Sequence, residues 1–288
     1  MDSKARAYWV MMKPGIMTMI LVTATLGFFL ARIDPVDWVE YAFFMLGTAL
    51  SCAGSGVLNN FIDREADARM KRTMKRALPA GIIQPADALG LGVALVITGT
   101  ALLVWKVNIL TAFLSLSTTF LYVVVYTPLK RITWLNTIIG AIPGAIPPLG
   151  GWAAATGTLS YEAWILFMIL FAWQHPHFYA IAWMYKEDYE KGGFRMLPLY
   201  DPSGERTFRQ VIWFSLLLLF VSLLPSFVGM SGTMYLICSF LSGVALLGVG
   251  IMFTESGTVA DARKLLKASI LYLPGLLGFI VLDRFLPF

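Results

Sequence analysis

The sequence contains nine stretches that are each long and apolar enough to cross a lipid bilayer as a helix. A transmembrane helix needs about 20 mostly apolar residues. In chain order, the stretches are Pro14–Ala31, Tyr41–Asn60, Ala88–Trp105, Leu110–Tyr126, Trp134–Ala155, Trp164–Tyr185, Val211–Met230, Tyr235–Phe253 and Ala268–Phe288. None shows the alternating apolar and polar pattern of a membrane-spanning strand. The sequence therefore predicts an all-α polytopic membrane protein with about nine transmembrane helices.

The composition excludes most other classes of protein. Of the 288 residues, 58% are hydrophobic and 14% are charged, whereas a soluble domain has roughly 25% charged residues. The high apolar content also excludes an intrinsically disordered chain. The two cysteines, Cys52 and Cys238, stand alone within apolar stretches. Their isolation excludes a disulfide framework and a thiolate metal centre.

The positive charges predict the orientation of the chain in the membrane. If the N-terminus is cytoplasmic, all but three of the 22 lysines and arginines lie on the cytoplasmic side, the exceptions being Arg32, Lys106 and Arg284. Cytoplasmic loops are enriched in Lys and Arg, so the distribution predicts a cytoplasmic N-terminus and an external C-terminus. It also explains the basic net charge without a nucleic-acid partner. Because no small-x-small cleavage site follows the first stretch, we expect it to be a retained span rather than a signal peptide.

An acidic motif follows the second stretch. Asn59, Asp63 and Asp67 are spaced four residues apart, so on a helix they share one face. Two like charges at i and i+4 destabilise a helix unless a cation lies between them. Amide and carboxylate oxygens suit Mg²⁺, which often bridges carboxylates to substrate phosphates. The nearby cations available for phosphate are Arg64, Lys71 and Arg72. The alternative interpretation is a solvated, charged helix end.

Both histidines of the chain lie inside the sixth stretch. An ionisable residue within a membrane span indicates a functional site. Helical spacing predicts that Gln174, His177 and Asp188 share a face, while His175 points about 100° away from Gln174. We therefore expect a functional role for His177, whereas a structural hydrogen bond between helices explains His175 equally well.

Paired cations follow the fourth stretch. Lys130 and Arg131 lie in a very short loop, which we expect beside the acidic motif on the same side of the membrane. Taken alone, the pair is an ordinary positively charged anchor at the membrane surface.

The fifth stretch is rich in small and kinking residues. These are Gly140, Pro143, Gly144, Pro147, Pro148, Gly150 and Gly151. Such residues allow either close packing of helices or open space for a ligand, and both interpretations stay open.

Together these motifs resemble the UbiA-type intramembrane prenyltransferase superfamily. The similar segments are Lys13-Pro14-Gly15, Asn59-x-x-x-Asp63-x-x-x-Asp67, Arg72-Thr73 with Arg76, Tyr126-Thr127-x-Leu129-Lys130-Arg131, and Gly144-Ala145-x-Pro147-Pro148-x-x-Gly151-Trp152. A further block, Trp173-Gln174-x-Pro176-His177-Phe178 with Asp188-Tyr189, is similar to the haem O synthase branch of this superfamily. One departure is that the second aspartate-rich motif of most members is reduced here to Asp188, which leaves the number of Mg²⁺ ions open.

The resemblance implies a fold and an activity. The fold would be a single integral-membrane prenyltransferase domain over residues 1–288, with its helices enclosing a central cavity. The activity would be farnesyl transfer from farnesyl diphosphate to the vinyl group of haem b, giving haem o and diphosphate. The protein would lie in a bacterial cytoplasmic membrane, in contact with lipid. A haem A synthase or a terminal-oxidase assembly protein would be a further partner.

The resemblance also implies roles for single residues. Mg²⁺ would be held by Asn59, Asp63 and Asp67, which with His177 and Asp188 form the catalytic set. The substrates would be bound by Arg64, Lys71, Arg72, Lys130, Arg131, Gln174 and Lys186.

Two other functions remain as alternatives. A related membrane prenyltransferase would use an aromatic quinone precursor as its acceptor, but it should carry the second aspartate pair in place of Gln174 and His177. A transporter or cation channel would use Asp63 and Asp67 as an ion site. Against the transporter, the acidic pair lies at the predicted cytoplasmic end rather than at the bilayer midplane, and no inverted repeat is evident.

Overall fold

The computed structural model describes residues 3–31 and 35–285. The described residues form helices joined by turns and short connections. In chain order these are α1 Ser3–Met11, α2 Pro14–Ala31, α3 Trp38–Asp67, α4 Pro85–Lys106, α5 Ile109–Phe120, a π-helical segment Leu121–Tyr126, α6 Thr127–Leu129, α7 Asn136–Ala145, α8 Pro147–Thr156, α9 Tyr161–Met184, α10 Lys186–Lys191, α11 Leu197–Tyr200, α12 Glu205–Phe227, α13 Thr233–Ser256 and α14 Val259–Phe285. The predicted all-α class is confirmed.

Nine helical segments within residues 3–31 and 35–285 are long and apolar enough to cross a membrane. They match the nine predicted stretches, which differ from them mainly at the ends. The second span is the helix Trp38–Asp67, longer at both ends than the predicted Tyr41–Asn60. The predicted end of the last span at Phe288 lies outside the described residues, as does Arg32.

The chain divides into two compact units. The first takes in Met1–Leu159 and Glu187–Arg195, and the second takes in Ser160–Lys186 and Met196–Phe288. The single domain expected from the resemblance stays a prediction.

In the first unit, α3 and α4 pack closely through glycines. A Cβ atom on Gly54 of α3 would lie 2.6 Å from the carbonyl oxygen of Gly92 on α4. Two turns away, a Cβ on Gly99 would lie 2.6 Å from the carbonyl oxygen of Gly47. Helices in lipid associate through van der Waals contact, which small residues at the interface strengthen. The glycines therefore hold α3, the helix of the acidic motif, against α4.

The packing of the first unit accounts for some of the glycines and prolines in the fifth stretch. The span breaks at Ile146, between α7 and α8, where Pro147 takes the first position of α8. This placement is favourable because proline has no N–H to donate to the preceding turn. A Cβ on Gly151 would lie 1.9 Å from the carbonyl oxygen of Ala24 on α2. Gly151 therefore serves close packing of α8 on α2.

In the second unit, α9 packs against α12 and α14, and α13 packs between α12 and α14. Trp183 meets Phe208 and Phe253 in an aromatic cluster, with ring centroids 4.9 and 5.8 Å from that of Trp183. The buried Asp283 accepts a hydrogen bond of 3.1 Å from the backbone N–H of Tyr235. A carboxylate at this position satisfies a free N–H at the start of α13 and favours its helix dipole.

Candidate functional site

The last two turns of α3 carry the acidic motif on one face. Asn59 and Asp63 are each 3% exposed, and Asp67 is 2% exposed. Because α3 continues without a break to Asp67, the predicted i, i+4, i+8 spacing holds for all three. The burial argues against the alternative of a solvated helix end.

Asp63 lies at the centre of this polar cluster. Its Oδ2 accepts a hydrogen bond of 3.0 Å from Asn59 Nδ2 and forms an ion pair with Lys130 Nζ. Its Oδ1 is buried and has no hydrogen-bond partner within the described ranges. An unsatisfied buried carboxylate oxygen is costly. The arrangement therefore leaves one oxygen available to a cation or a donor from a ligand.

Asp67 is held by residues that follow α3. Arg76 Nη1 donates to Asp67 Oδ2 at 2.7 Å, and the Thr73 hydroxyl donates to the backbone carbonyl of Asp67 at 3.0 Å. Arg76 is partly exposed, whereas Asp67 is buried. The chain after α3 thus folds back and supplies a positive charge to the acidic motif.

Lys13, in the connection before α2, is a further cation at the site that was not among the predicted site residues. Its Nζ donates to Asn59 Oδ1 and, at 3.1 Å, to the Tyr122 hydroxyl. Burial, together with the charge of Arg76, lowers the pKa of Lys13 to about 8, although Asp63 and Asp67 oppose the shift. The sequence signal that could have found it is the Lys13-Pro14-Gly15 segment of the resemblance.

Lys130 reaches the site from the loop after the fourth span. Its Nζ lies 5.3 Å from the ring centroid of Tyr126 and 5.1 Å from that of Phe194. Its backbone carbonyl accepts a hydrogen bond of 2.6 Å from the N–H of Arg195. Aromatic faces attract a cation, so the two rings help to hold the ammonium beside Asp63. The predicted proximity of Lys130 to the acidic motif is thus observed.

Asp188 meets Arg72 in the first unit. The Arg72 backbone N–H donates to Asp188 Oδ2 at 3.3 Å, and Arg72 Nη2 donates to the Tyr189 hydroxyl at 3.2 Å. The helical phasing that placed Asp188 on a face with Gln174 and His177 was wrong. The helix α9 ends at Met184, and Tyr185 leaves the helical conformation with φ −118° and ψ 24°.

The other predicted phosphate-binding cations point elsewhere. Arg64 Nη1 donates to the carbonyl of Phe61 at 2.8 Å, and Arg131 Nη2 donates to the carbonyl of Ile62 at 3.2 Å. Lys71 is exposed after the end of α3. Their role in binding a phosphate stays a prediction.

In the second unit, His177 is fixed by α14 and by its own helix. His177 Nδ1 lies 2.9 Å from the hydroxyl oxygen of Ser269. The indole ring of Trp173 stacks on the imidazole with a centroid distance of 4.9 Å and an interplanar angle of 28°. These two contacts therefore fix both the position and the orientation of the imidazole ring.

His175 has a different environment in the same helix. It is fully buried, and its ring stacks on Phe214 with a centroid distance of 3.5 Å and an interplanar angle of 5°. Its Nδ1 lies 2.7 Å from the carbonyl oxygen of Phe171, whereas its Nε2 has no partner in the described part of the chain. These contacts favour the structural interpretation of His175.

Two more predicted substrate residues belong to the second unit. Gln174 is buried, and its Nε2 donates to the carbonyl of Leu170 at 3.1 Å. Lys186 is exposed, and its Nζ lies 5.1 Å from the ring centroid of Trp183.

A cavity of about 50 Å³ lies inside the first unit. Its walls come from α2, α3, α5, α8 and the residue before α8, with Phe44, Ser51, Cys52, Thr111 and Gly150 among the lining residues. Cys52 and Asn59 are separated by about 10 Å along α3, at 1.5 Å of rise per residue. The cavity thus lies further along the same helix as the acidic motif.

Comparisons with known proteins agree with this architecture. The model of the UbiA prenyltransferase family matches residues 20–272. A protoheme IX farnesyltransferase of Solibacter usitatus is 42% identical, over 97% of this chain and 99% of the relative.

Two solved structures share the fold. One, described for digeranylgeranylglyceryl phosphate synthase, has a TM-score of 0.82 at 18% identity and covers 97% of this chain and 98% of its own. The other is a UbiA homologue from Archaeoglobus fulgidus bound to GPP and Mg²⁺, with a TM-score of 0.64 at 15% identity, covering 96% of this chain and 99% of its own. With these matches along almost its full length, the chain belongs to the UbiA prenyltransferase family.

Proposed function

We propose that this protein transfers the farnesyl group of farnesyl diphosphate to the vinyl group of haem b, giving haem o and diphosphate. The observation that carries the proposal is the buried acidic motif, in which Asp63 and Asp67 face a cluster of cations. Such a site suits a metal-bound diphosphate at the membrane edge. The choice of donor and acceptor is supported by the name and high coverage of the Solibacter usitatus relative.

The acidic motif fits Mg²⁺ by the chemistry of its donors. Asn59, Asp63 and Asp67 offer hard oxygens as ligands, and Asp63 Oδ1, which has no partner among the described residues, can accept a metal. Within residues 3–31 and 35–285, no group of three or more His, Cys, Asp and Glu side chains could hold a metal by itself. Mg²⁺ is commonly bound by one or two carboxylates together with substrate phosphates and waters. The motif would therefore hold Mg²⁺ jointly with the diphosphate.

The cations around the motif would stabilise the leaving group. When bound, Mg²⁺ would neutralise negative charge that develops on the diphosphate. Three cations contact the acidic motif in this structure, namely Lys130, Lys13 and Arg76. The same donors lie within reach of an anion bound there. Fixed donors at the place where charge develops are an effective means of catalysis.

The transfer itself proceeds by heterolysis. The allylic carbon–oxygen bond breaks, and its electron pair leaves with the diphosphate. The vinyl group of haem b then supplies the electrons of the new carbon–carbon bond. Water adds to the resulting cation and loses a proton. His177 would either accept that proton or ligate the haem iron, and both roles need a neutral imidazole.

The isoprenoid tail would reach the cavity in the first unit with only part of its length, because a cavity of about 50 Å³ is too small for a whole farnesyl chain. A Cβ on Gly150 would meet no described atom within 4 Å, so a larger side chain there would fill the cavity. We expect Gly150→Leu to lower kcat/KM for farnesyl diphosphate about tenfold relative to geranyl diphosphate, because volume discrimination in apolar pockets is of this size. Competition between the two donors measures the ratio.

The control for this variant is Gly90→Leu. Gly90 is exposed on α4 and also has no described atom within 4 Å of a Cβ, so it imposes the same helical substitution away from the cavity. Equal donor preference in both variants would exclude the cavity as the tail site.

Lys130 is expected to act on the diphosphate. Lys130→Met removes the ammonium beside Asp63 and should lower kcat/KM for farnesyl diphosphate by about 10- to 100-fold. Initial rates at varied donor and acceptor concentrations measure the effect. Lys106→Met, at the other end of α4 from the site, is the control. A change confined to the haem dependence would assign Lys130 to the acceptor instead.

We place the protein in the bacterial cytoplasmic membrane, with its N-terminus cytoplasmic and its C-terminus outside. The distribution of lysines and arginines supports this orientation. The farnesyl-derived chain of haem o is long and apolar and would hold the product in the membrane, so the next protein to take it, a haem A synthase or an oxidase assembly factor, would meet it there.

The choice of acceptor tests the proposed function. The purified protein is incubated with farnesyl diphosphate, Mg²⁺ and either haem b or an aromatic quinone precursor, and the products are identified by mass spectrometry. We expect a farnesylated product with haem b alone. A product with the aromatic acceptor alone would assign the protein to a different branch of the family, and the absence of a farnesylated product with either acceptor would contradict the proposed function.

A further inference from the structure

A small polar cluster in the second unit joins α9 to α14. Ser269, on α14, is completely buried. Its backbone carbonyl accepts a hydrogen bond of 2.7 Å from Trp173 Nε1, and its hydroxyl oxygen lies 2.9 Å from His177 Nδ1. One residue thus contacts both the histidine and the indole that stacks on it.

The hydrogen bonds at Ser269 determine which ring nitrogen of His177 carries the proton. The Ser269 hydroxyl lies 2.7 Å from the carbonyl oxygen of Leu266. A carbonyl has no proton to give, so the hydroxyl must donate to it. The hydroxyl oxygen then has only lone pairs to offer to His177, and the ring must donate from Nδ1. The lone pair of the neutral imidazole is consequently on Nε2.

Trp173 restricts the orientation of the same ring. Its indole stacks on the imidazole, and its Nε1 is held by the carbonyl of Ser269. The indole therefore limits rotation of the imidazole, at an interplanar angle of 28°, while the Ser269 hydroxyl holds Nδ1. Hydrogen bonds of this kind to the second nitrogen are the usual means of fixing the tautomer of a working histidine.

We propose that Ser269 is a positioning residue that holds His177 as the Nδ1–H tautomer and makes Nε2 the working nitrogen. The use of Nε2, as a base toward water or as a ligand of the haem iron, rests on the proposed function. The tautomer itself does not, because it follows from contacts within the chain.

Nuclear magnetic resonance of the full-length protein, labelled with ¹⁵N-histidine, tests the tautomer directly. The chain has only two histidines, so the spectrum contains the signals of two imidazoles. The set that disappears in His177→Ala belongs to His177, and the set that remains belongs to His175. We expect His177 to be protonated at Nδ1 in the unmodified protein and to populate both tautomers in Ser269→Ala. Protonation at Nε2 in the unmodified protein would overturn the proposal.

Kinetics test the consequence for the reaction. Ser269→Ala should slow haem o formation about tenfold, the lower end of the effect of removing a hydrogen bond behind a working histidine, with an unchanged KM for farnesyl diphosphate. Ser269→Thr keeps the hydroxyl and should recover most of the rate. Ser239→Ala is the matched control, because the buried Ser239 hydroxyl donates to the carbonyl three residues earlier at 3.0 Å, as Ser269 does.

The two tests separate failure of the positioning role from failure of the proposed function. Equal rates in Ser269→Ala and Ser239→Ala would contradict positioning for catalysis. Absence of haem o with the unmodified protein, together with the expected Nδ1–H tautomer, would contradict the proposed function and leave the positioning intact.

Discussion

Replacement of Asp63 or Asp67 by alanine is expected to lower the rate of farnesyl transfer by at least about 10²-fold, the cost of losing a group that stabilises developing charge. Each substitution removes a hard ligand of the proposed metal and leaves a cation, Lys130 or Arg76, without its carboxylate. The measurement is haem o formed per folded protein, at saturating Mg²⁺.

An unpaired buried cation destabilises a protein, so loss of activity in an alanine variant must be separated from loss of folding. The isosteric variant Asp63→Asn serves this purpose. It keeps an oxygen toward Lys130 and removes the negative charge. The control is Asp87→Ala, since Asp87 is exposed in the first turn of α4. Near-normal turnover in Asp63→Asn or Asp67→Ala, or full activity after complete chelation of divalent metal, would contradict the metal site.

The second large effect is expected at His177. His177→Ala should reduce haem o formation by about 10²-fold, a typical contribution of a positioned acid or base, while binding of farnesyl diphosphate persists. His175→Ala should retain its turnover number and lose stability instead, because it leaves a space against Phe214. Turnover per folded protein and thermal unfolding of both variants distinguish these effects.

Spectroscopy distinguishes the two roles of His177. Loss of an axial ligand would change the Soret band of bound haem b in His177→Ala, whereas loss of a base would leave that band unchanged. An inactive His175→Ala beside a fully active His177→Ala would reverse the assignment of the two histidines.

The sequence was sufficient for the fold class because the bilayer imposes a minimum length on every spanning helix. The regular geometry of a helix predicted the shared face of Asn59, Asp63 and Asp67, since it fixes the relative directions of side chains over a few turns. It failed for Asp188, because the helix α9 stops at Met184. Extrapolating a helical phase across the end of a helix has no physical basis.

Contacts between distant segments account for what the sequence did not predict. Lys13 meets Asn59 across 46 positions of the chain, and the Ser269–His177 pair spans 92. No local spacing encodes such contacts, because they follow from which helices pack together. The contact of Lys13 with Asn59, and that of Ser269 with His177, therefore became visible only in the folded chain.

The central claim, that this protein couples the release of diphosphate to the farnesylation of haem b, is tested most directly by stoichiometry. Purified protein is given haem b, farnesyl diphosphate and Mg²⁺, and both diphosphate and haem o are quantified over the same time course. We expect one diphosphate to be released for each haem o formed, and neither product to form after chelation of the metal. Release of diphosphate without farnesylated haem, or haem o formed at full rate without a divalent metal, would contradict it.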